Sequence, residues 1–367
     1  MHSQFASIAL ALFALQSAGP PVSVTRADPP ASTIVKLPLR IGGRVAQGSS
    51  SGSYLRQWPG TYFETALEGE SALFRIGPGD AAVHLLVDGR QIETLVKPAP
   101  GYFRIDGLAP GKHRLRIEFA SESQAGPTEF GGFYAETGVR GTAVPAHERQ
   151  IEFIGDSHTV GYANTSSKTE CSEDEVWATT DSSRGFGPLL AKRYDADYRI
   201  NAISGRGIVR NYNGFKATTL PEAYRATWFD SDASPVAQHW SPQLIVIALG
   251  TNDFTTALHD GEKWTSRAAL HADYERTYVA FMRQLRAANP KAYFIVWATD
   301  MAGGEIETEA LKVVEALRAG GERRITFMPF DKLKFGACHA HPSLADDALI
   351  ATRLARIVDS QPRIWNR

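Results

Sequence analysis

The chain has 367 residues, of which 43% are hydrophobic and 22% are charged, a composition that indicates a globular protein and excludes a disordered or fibrous one. Its length suits two domains or one large α/β domain. With 39 basic and 40 acidic residues, the formal net charge is −1, so nothing in the charge balance points to a nucleic acid as the partner.

The N-terminal segment is typical of an export signal. Residues 5–15, FASIALALFAL, are almost entirely apolar and are followed by small residues at 17–19. This run is shorter than the roughly 20 residues that a membrane-spanning helix needs, so it indicates a cleaved leader and not an anchor. We therefore predict a signal peptide over residues 1–27, cleaved between 18 and 27, and a secreted or periplasmic protein without a membrane span.

Residues 32–145 predict a β domain, because short alternating runs lie between clusters of Gly, Pro and Asp. The Asp88-Gly89 pair between two such runs is a strong hairpin signal. Strands at this spacing are typical of a β-sandwich or jelly roll. The predicted strands cover residues 62–67, 72–76, 83–87, 91–96 and 113–119.

From residue 148 to residue 367, apolar strands alternate with amphipathic helices, a pattern that predicts a parallel sheet covered on both faces. The predicted strands cover residues 151–154, 198–201, 244–249, 293–297 and 325–328. The predicted helices cover residues 184–194, 271–288, 305–318 and 344–358. In open α/β sheets, ligands bind at the carboxyl ends of the strands, so the loops at that edge are the place to look for chemistry.

The first of these loops, GDSHT, places Ser157 between a strand and a helix. A serine there is suited to be a nucleophile, because the free N–H groups at the start of the helix can hold developing negative charge. The same position also suits a serine that only caps the helix.

Three further loops complete a set of chemical roles. Gly205 follows the second strand in SGRG, Asn252 follows the third in GTND, and His341 precedes the last helix in CHAHPS. Together with Ser157, these residues supply a nucleophile, two donors for an oxyanion and a base.

The motifs IEFIGDSHTVGYAN, SGRG, LGTNDF and GACHAHPS resemble those of the SGNH (GDSL-like) hydrolases, and the resemblance covers residues 148–367. With a β domain in front, the whole chain is similar to carbohydrate esterase family 2 of the acetyl xylan esterase type, which joins a jelly roll to a three-layer α/β SGNH domain. The resemblance implies that Ser157 is the nucleophile and His341 the base. It also implies an oxyanion hole formed by the N–H groups of Ser157 and Gly205 and the Asn252 side chain, with no cofactor and no metal.

The function that this resemblance implies is an exported serine esterase, which removes O-acetyl groups from a polysaccharide of the xylan or mannan type through an acyl-enzyme. The implied partner is an acetylated polysaccharide or oligosaccharide. Two alternatives stay open. One is an SGNH esterase, lipase or thioesterase for longer acyl chains, because a fold does not fix the substrate. The other is a glycan-binding protein without catalysis. The sequence leaves the oligomeric state open.

One position departs from the family pattern. SGNH hydrolases commonly carry an acidic residue two or three positions before the histidine, where this chain has His339 and Cys338. Losing the orienting carboxylate costs about 10⁴-fold in a serine protease. We therefore predict a Ser-His dyad in which a backbone carbonyl fixes the tautomer of His341, because a neutral His339 stabilises an imidazolium far less than a carboxylate does.

Five other residues carry weaker signals, each with two interpretations. Asp253 either contacts substrate or caps a turn. Trp177 and Trp264 either stack on a sugar ring or anchor polar surface loops. Cys171 and Cys338 either pair as one disulfide, as an exported chain allows, or remain two buried free thiols.

Overall fold

The computed structural model describes residues 21–29, 34–229, 235–236 and 238–366. Residues 1–20, the larger part of the predicted signal peptide, lie outside the described residues. Within the described part of the chain, no helix is long and apolar enough to cross a membrane.

The N-terminal domain consists of two antiparallel sheets that pack face to face. The first sheet has the strand order β1-β10-β7-β12-β5-β4, with β2 also paired to β12, and the second has the order β13-β6-β11-β8-β9, with β3 also paired to β6. The strands are β1 (Ser23–Ala27), β2 (Ile34–Lys36), β3 (Arg40–Gly42), β4 (Ala46–Gln47), β5 (Tyr54–Arg56), β6 (Tyr62–Glu68), β7 (Ala72–Ile76), β8 (Ala82–Val87), β9 (Arg90–Val96), β10 (Gly101–Asp106), β11 (Lys112–Phe119), β12 (Thr128–Glu136) and β13 (Arg140–Thr142).

Aromatic residues from both sheets fill the space between them. The rings of Phe63 on β6 and Phe130 on β12 have centroids 4.4 Å apart, and both side chains are fully buried. The predicted hairpin joins β8 to β9, and its Asp88 and Gly89 both have positive φ, as a two-residue turn of this kind requires. The domain therefore has the sandwich architecture that the sequence predicts.

The C-terminal domain contains a parallel sheet with the strand order β15-β14-β16-β17-β18. Its strands are β14 (Arg149–Gly155), β15 (Ala196–Ala202), β16 (Leu244–Ala248), β17 (Tyr293–Thr299) and β18 (Ile325–Phe330). The α-helices of the chain are α1 (Ser157–Val160), α2 (Glu173–Thr179), α3 (Phe186–Arg193), α4 (Leu220–Ala223), α5 (Thr251–Phe254), α6 (Arg267–Ala288), α7 (Glu305–Ala319) and α8 (Leu344–Ser360).

Strand β16 shows why this sheet is covered on both faces. All of its residues are buried. Ile245 and Ile247 point into the core that α6 and α7 cover, whereas Val246 points into the core that α3 and α8 cover. A strand that is apolar on both faces needs helices on both sides, and the predicted three-layer α/β fold is confirmed.

The two domains share their cores. Trp58 of the β domain is fully buried among the residues under α6 and α7, and its indole N–H donates to the carbonyl oxygen of Thr227 at 2.9 Å. Tyr62 enters the opposite core and donates to the carboxylate of Asp197 at 2.7 Å. These contacts fix the β domain against the α/β domain through both of its cores.

Candidate active site

Ser157 lies where the sequence analysis places it, directly after β14 and at the first position of α1. The strand order puts β14 between β15 and β16, so the chain leaves the sheet in opposite directions on its two sides. Such a switch point opens a crevice at the carboxyl ends of the strands. Asp156 caps α1 by accepting the backbone N–H of His158, which leaves the Ser157 hydroxyl free of the capping role.

The base candidate contacts the nucleophile candidate directly. Nε2 of His341 lies 2.8 Å from Oγ of Ser157. On the other side of the ring, Nδ1 lies 3.0 Å from the carbonyl oxygen of Cys338 and 3.1 Å from that of His339. Two carbonyl acceptors at Nδ1 place the proton on that nitrogen, so Nε2 is left to accept the hydroxyl proton of Ser157.

Burial sets the charge state of the histidine. Desolvation lowers the pKa of His341 to about 4, although the hydrogen bonds to the two backbone carbonyls oppose this shift. The imidazole of His341 is therefore neutral at neutral pH. His341 itself is half-buried, whereas its neighbour His158 is buried, and desolvation lowers the pKa of that imidazole to about 3.

Gly205 and Asn252 lie in two loops at the carboxyl edge of the sheet, and a hydrogen bond from Asn252 to Arg206 connects these loops. Gly205 follows β15 and has a φ of +80°, a conformation that glycine adopts at no steric cost. The amide of Asn252 donates to the carbonyl oxygen of Arg206 at 2.8 Å, which leaves its second N–H for another acceptor. Because β14, β15 and β16 are adjacent, the loops after them meet beside Ser157.

Asp253 does not have the substrate contact that was one of its two predicted roles. Its side chain is completely buried, and its carboxylate accepts the backbone N–H groups of Ile208, Val209 and Arg210 at 2.9–3.0 Å. A substrate has no access to a side chain in this position. Asp253 is instead a positioning residue for the loop that carries Gly205, and burial raises its pKa to about 6.

The β domain adds a contact that the sequence analysis did not include. Glu122 accepts the backbone N–H of Ser204 at 3.0 Å, and Gln124 donates to the carbonyl oxygen of the same residue at 3.2 Å. Both bonds hold the peptide next to Gly205. No local pattern around Glu122 announces this role, because it depends on how the two domains pack.

The two tryptophans have different surroundings. Trp264 is half-buried, donates its N–H to Asp273 at 2.9 Å and lines an open groove of about 890 Å³ that begins next to the Asn252 loop. Trp177 is also half-buried, and the ammonium of Lys97 from the β domain lies over its ring at 4.8 Å. Trp264 thus lies in the groove that follows α5, whereas Trp177 lies at the junction of the domains.

The remaining pair of predicted residues forms a disulfide. The sulfur atoms of Cys171 and Cys338 are bonded, with Cα atoms 5.6 Å apart. The bond ties the loop before α2 to the turn that precedes His341.

Comparisons with known proteins identify the family of each domain. Residues 41–145 match the family model described as carbohydrate esterase 2 N-terminal, and residues 153–352 match that of the GDSL-like lipase/acylhydrolase family. An acetylxylan esterase/glucomannan deacetylase from Cellvibrio japonicus is 45% identical over 333 residues, which is 90% of this chain and 92% of that protein.

Solved structures give the same result. One carbohydrate esterase, described as displaying divergent catalytic and non-catalytic binding functions at its active site, has a TM-score of 0.84 and 43% identity over 90% of this chain and 100% of its own. A family two carbohydrate esterase from Clostridium thermocellum, in complex with cellohexaose, has a TM-score of 0.78 and 25% identity over 89% of this chain and 100% of its own. The likeness covers both domains.

Proposed function

Because this chain belongs to carbohydrate esterase family 2 and is a carboxylic ester hydrolase with a GDSL-like domain, we propose that it removes O-acetyl groups from a polysaccharide of the xylan or mannan type. The observation that carries the proposal is the 2.8 Å contact between Oγ of Ser157 and Nε2 of His341 at the carboxyl edge of the sheet. The relatives that are named acetylxylan esterase and glucomannan deacetylase support the substrate class.

In the first step, Oγ of Ser157 attacks the acetyl carbonyl carbon while Nε2 of His341 takes the hydroxyl proton. The negative charge that develops on the carbonyl oxygen is held by the N–H groups of Ser157 and Gly205 and by the Asn252 side chain. The tetrahedral intermediate then expels the sugar oxygen, which takes the proton from His341. The products of this step are an acetyl-enzyme and a free sugar hydroxyl.

In the second step, a water molecule repeats the attack on the acetyl-enzyme. His341 accepts a proton from the water, and the resulting intermediate releases acetate while the proton returns to Ser157. The neutral His341 found at neutral pH is the form that both attacks require. Its Nδ1–H stays on the carbonyls of Cys338 and His339 throughout, so the ring acts as the second member of a Ser-His dyad.

Exposed aromatic rings beside the oxyanion loop suit a sugar. Tyr212 is 52% exposed and Phe215 is 41% exposed, and the Phe215 ring packs against Gly205. Rings that remain exposed next to a polar site offer flat apolar faces on which a sugar ring can stack. Together with the groove beside Trp264, they give a polysaccharide an open surface.

We also propose that the protein is exported. Residues 5–15 have the length and apolarity of a leader. Because β1 (Ser23–Ala27) pairs along its length with β10, cleavage before residue 23 keeps the sheet edge intact, whereas cleavage after Ala27 removes that strand.

The test is acetate release from acetylated xylan and acetylated glucomannan by the mature protein, with Ser157→Ala and the matched control Ser183→Ala. Ser183 is a half-buried serine outside the site. We expect activity in the wild type and the control and a loss of at least about 10⁴-fold in Ser157→Ala. We also expect acetyl to be preferred over butyryl on 4-nitrophenyl esters. Equal activity in wild type and Ser157→Ala, or a preference for long acyl chains, would overturn the proposal.

A further inference from the structure

The turn that precedes His341 has an unusual backbone conformation at His339 and Ala340. His339 has a φ of 54° and Ala340 a φ of 55°, both in the left-handed region. Residues with a Cβ populate this region sparsely and stay there only when the surrounding structure holds them. The carbonyls of Cys338 and His339 converge on Nδ1 of His341 because the backbone turns in this way.

A covalent bond holds the first residue of the turn. Cys338 contributes one of the two carbonyls, and its fully buried sulfur is bonded to Cys171. The sulfur packs in a small apolar cluster with Ala163 and Val176. The next residue is held by the backbone, since the N–H of His339 donates to the carbonyl oxygen of Thr169 at 2.7 Å.

The His339 side chain forms a second contact with the segment that contains Thr169 and Cys171. Its Nε2 lies 3.1 Å from the carbonyl oxygen of Cys171, and its Nδ1 lies 3.0 Å from the hydroxyl oxygen of Tyr162. These partners fix the tautomer, because Nε2–H must donate to the carbonyl and Nδ1 then accepts from the tyrosine hydroxyl. The Tyr162 ring in turn lies 4.3 Å from the His341 ring, centroid to centroid.

We propose that the Cys171–Cys338 disulfide and His339 form a positioning clamp for His341. The clamp, defined as this disulfide with the His339 imidazole, keeps the left-handed turn in place so that two neutral carbonyls orient the base where related hydrolases use a carboxylate. His339 and the cysteines are positioning residues and touch neither substrate nor the reacting atoms. The inference rests on the proposed function, because it assumes that His341 is the base.

A disulfide that only stabilises the fold gives a different expectation from a clamp. Loss of a stabilising bond lowers the melting temperature and the fraction of folded molecules, and leaves the rate per intact site unchanged. Loss of a clamp lowers kcat in every folded molecule, because a catalytic group that shifts by about 1 Å can cost about 10²-fold. The decisive readout is therefore kcat per titrated active site, together with KM.

The first experiment removes the crosslink without leaving a free thiol, in Cys171→Ala/Cys338→Ala. Active sites are counted by the stoichiometric release of 4-nitrophenol from diethyl 4-nitrophenyl phosphate, and kcat and KM are measured with 4-nitrophenyl acetate. We expect kcat per site to fall by about 10²-fold with KM changed less than about threefold. The matched control is Val314→Ala, at a fully buried position of α7 in a different core from Cys338, and we expect it to lower stability and keep kcat per site.

The second experiment stays informative even if the cysteine variant does not fold. His339→Gly and Ala340→Gly give the same backbone freedom to two adjacent left-handed positions, but only the former removes a hydrogen-bonding side chain. We expect His339→Gly to lose at least tenfold more kcat than Ala340→Gly, and His339→Gln, which keeps a donor for the Cys171 carbonyl, to recover part of that loss.

The outcomes separate the clamp from the proposed function. A wild type without esterase activity refutes the proposed function and with it the assumption on which the clamp rests. An active wild type whose cysteine and His339→Gly variants keep kcat per site refutes the clamp alone. A loss confined to the number of titratable sites also refutes the clamp, because it assigns the disulfide to stability.

Discussion

The two sides of Ser157 are held in place by different means. On the base side, neutral groups and a covalent crosslink hold His341, and both acceptors at its Nδ1 are backbone carbonyls. On the oxyanion side, a buried carboxylate holds the loop, since Asp253 accepts three consecutive backbone N–H groups behind Gly205. A charge is thus present in the site, but it supports the oxyanion loop and not the base.

This difference predicts which substitutions should lower the rate and which should lower the stability. Neutral carbonyls do little to stabilise an imidazolium by charge, so the base side contributes through orientation and through a base that is already deprotonated. In the proposed mechanism, the oxyanion side contributes through dipoles that are fixed before the reaction begins. Damage to the oxyanion loop should therefore lower both the rate and the stability, whereas loss of the hydrogen bonds on the base side should lower mainly the rate, and only loss of the disulfide there should also lower the stability.

Outside Ser157 and His341 themselves, the largest effect is expected from removing an oxyanion donor. Asn252→Ala should lower kcat by about 10²–10³-fold, the usual cost of one such donor, with little change in KM. The control is Thr255→Ala, whose hydroxyl bonds to the carbonyl oxygen of Thr251 within the same helical turn. Steady-state kinetics on 4-nitrophenyl acetate measure both variants. An Asn252→Ala enzyme with kcat within threefold of the control would remove Asn252 from the oxyanion hole.

The next effect is expected from the carboxylate beneath the loop. Asp253→Asn leaves one oxygen for three N–H groups, so we expect kcat to fall about tenfold and the free energy of unfolding to fall by about 2 kcal/mol. Urea denaturation at pH 8 gives the second value. Unchanged stability together with a lower kcat would contradict a loop-holding role.

The same variant gives a pH test of stability. Burial raises the pKa of Asp253 to about 6 in the folded protein, above the value of about 4 of an unfolded aspartate. The folded state then binds this proton more tightly, so the stability that the wild type has relative to Asp253→Asn should fall as pH rises from about 4 to about 6. Denaturation curves for both proteins across this range measure the difference. A difference that rises with pH would contradict the raised pKa.

His341 should titrate at a lower pH than Asp253. With the pKa of His341 near 4, kcat/KM should depend little on its protonation between pH 7 and 5, and should fall about tenfold per pH unit below about 4. Initial rates with 4-nitrophenyl acetate, measured after brief exposure to each pH, give the profile. A limb near 6.5 would mean that His341 is solvated in the working enzyme.

The smallest effect is expected from the β domain. Glu122→Gln keeps an acceptor for the Ser204 N–H but removes its charge, and should cost at most about fivefold in kcat because one hydrogen bond is worth about 1 kcal/mol. The matched control is Glu70→Gln, an exposed glutamate of the same domain. Equal kcat in Glu122→Gln and Glu70→Gln would mean that the negative charge of Glu122 does not contribute to holding the oxyanion loop.

Most of the C-terminal domain was predictable because its alternation of apolar strands and amphipathic helices is strong. Buried strands such as β16 are continuous apolar runs, and α6 to α8 are long amphipathic segments with clear ends, so their predicted bounds differ from the structure by a few residues. The β domain was harder. Strand β12 was not predicted, because Gly131 and Gly132 interrupt its alternation and most of its residues are buried on both faces.

The candidate site also contains residues that the sequence predicted and residues whose roles it did not predict. Ser157 and His341 stand in motifs next to predicted elements, so their approach followed from the fold. The role of Asp253 could not be decided, because an aspartate after a strand suits a substrate and a backbone loop equally, and only tertiary structure brings residues 208–210 to it. Glu122 lies in the other domain, and its contact follows from domain packing alone.

We propose that Ser157 and His341 act as one catalytic unit without a carboxylate. The most direct test is kcat/KM for 4-nitrophenyl acetate in Ser157→Ala, His341→Ala and the double variant. For residues that act as a unit, all three should lie within about threefold of one another and at least about 10⁴-fold below the wild type. A double variant whose loss equals the product of the two single losses, or a Ser157→Ala protein as active as the wild type, would contradict the claim.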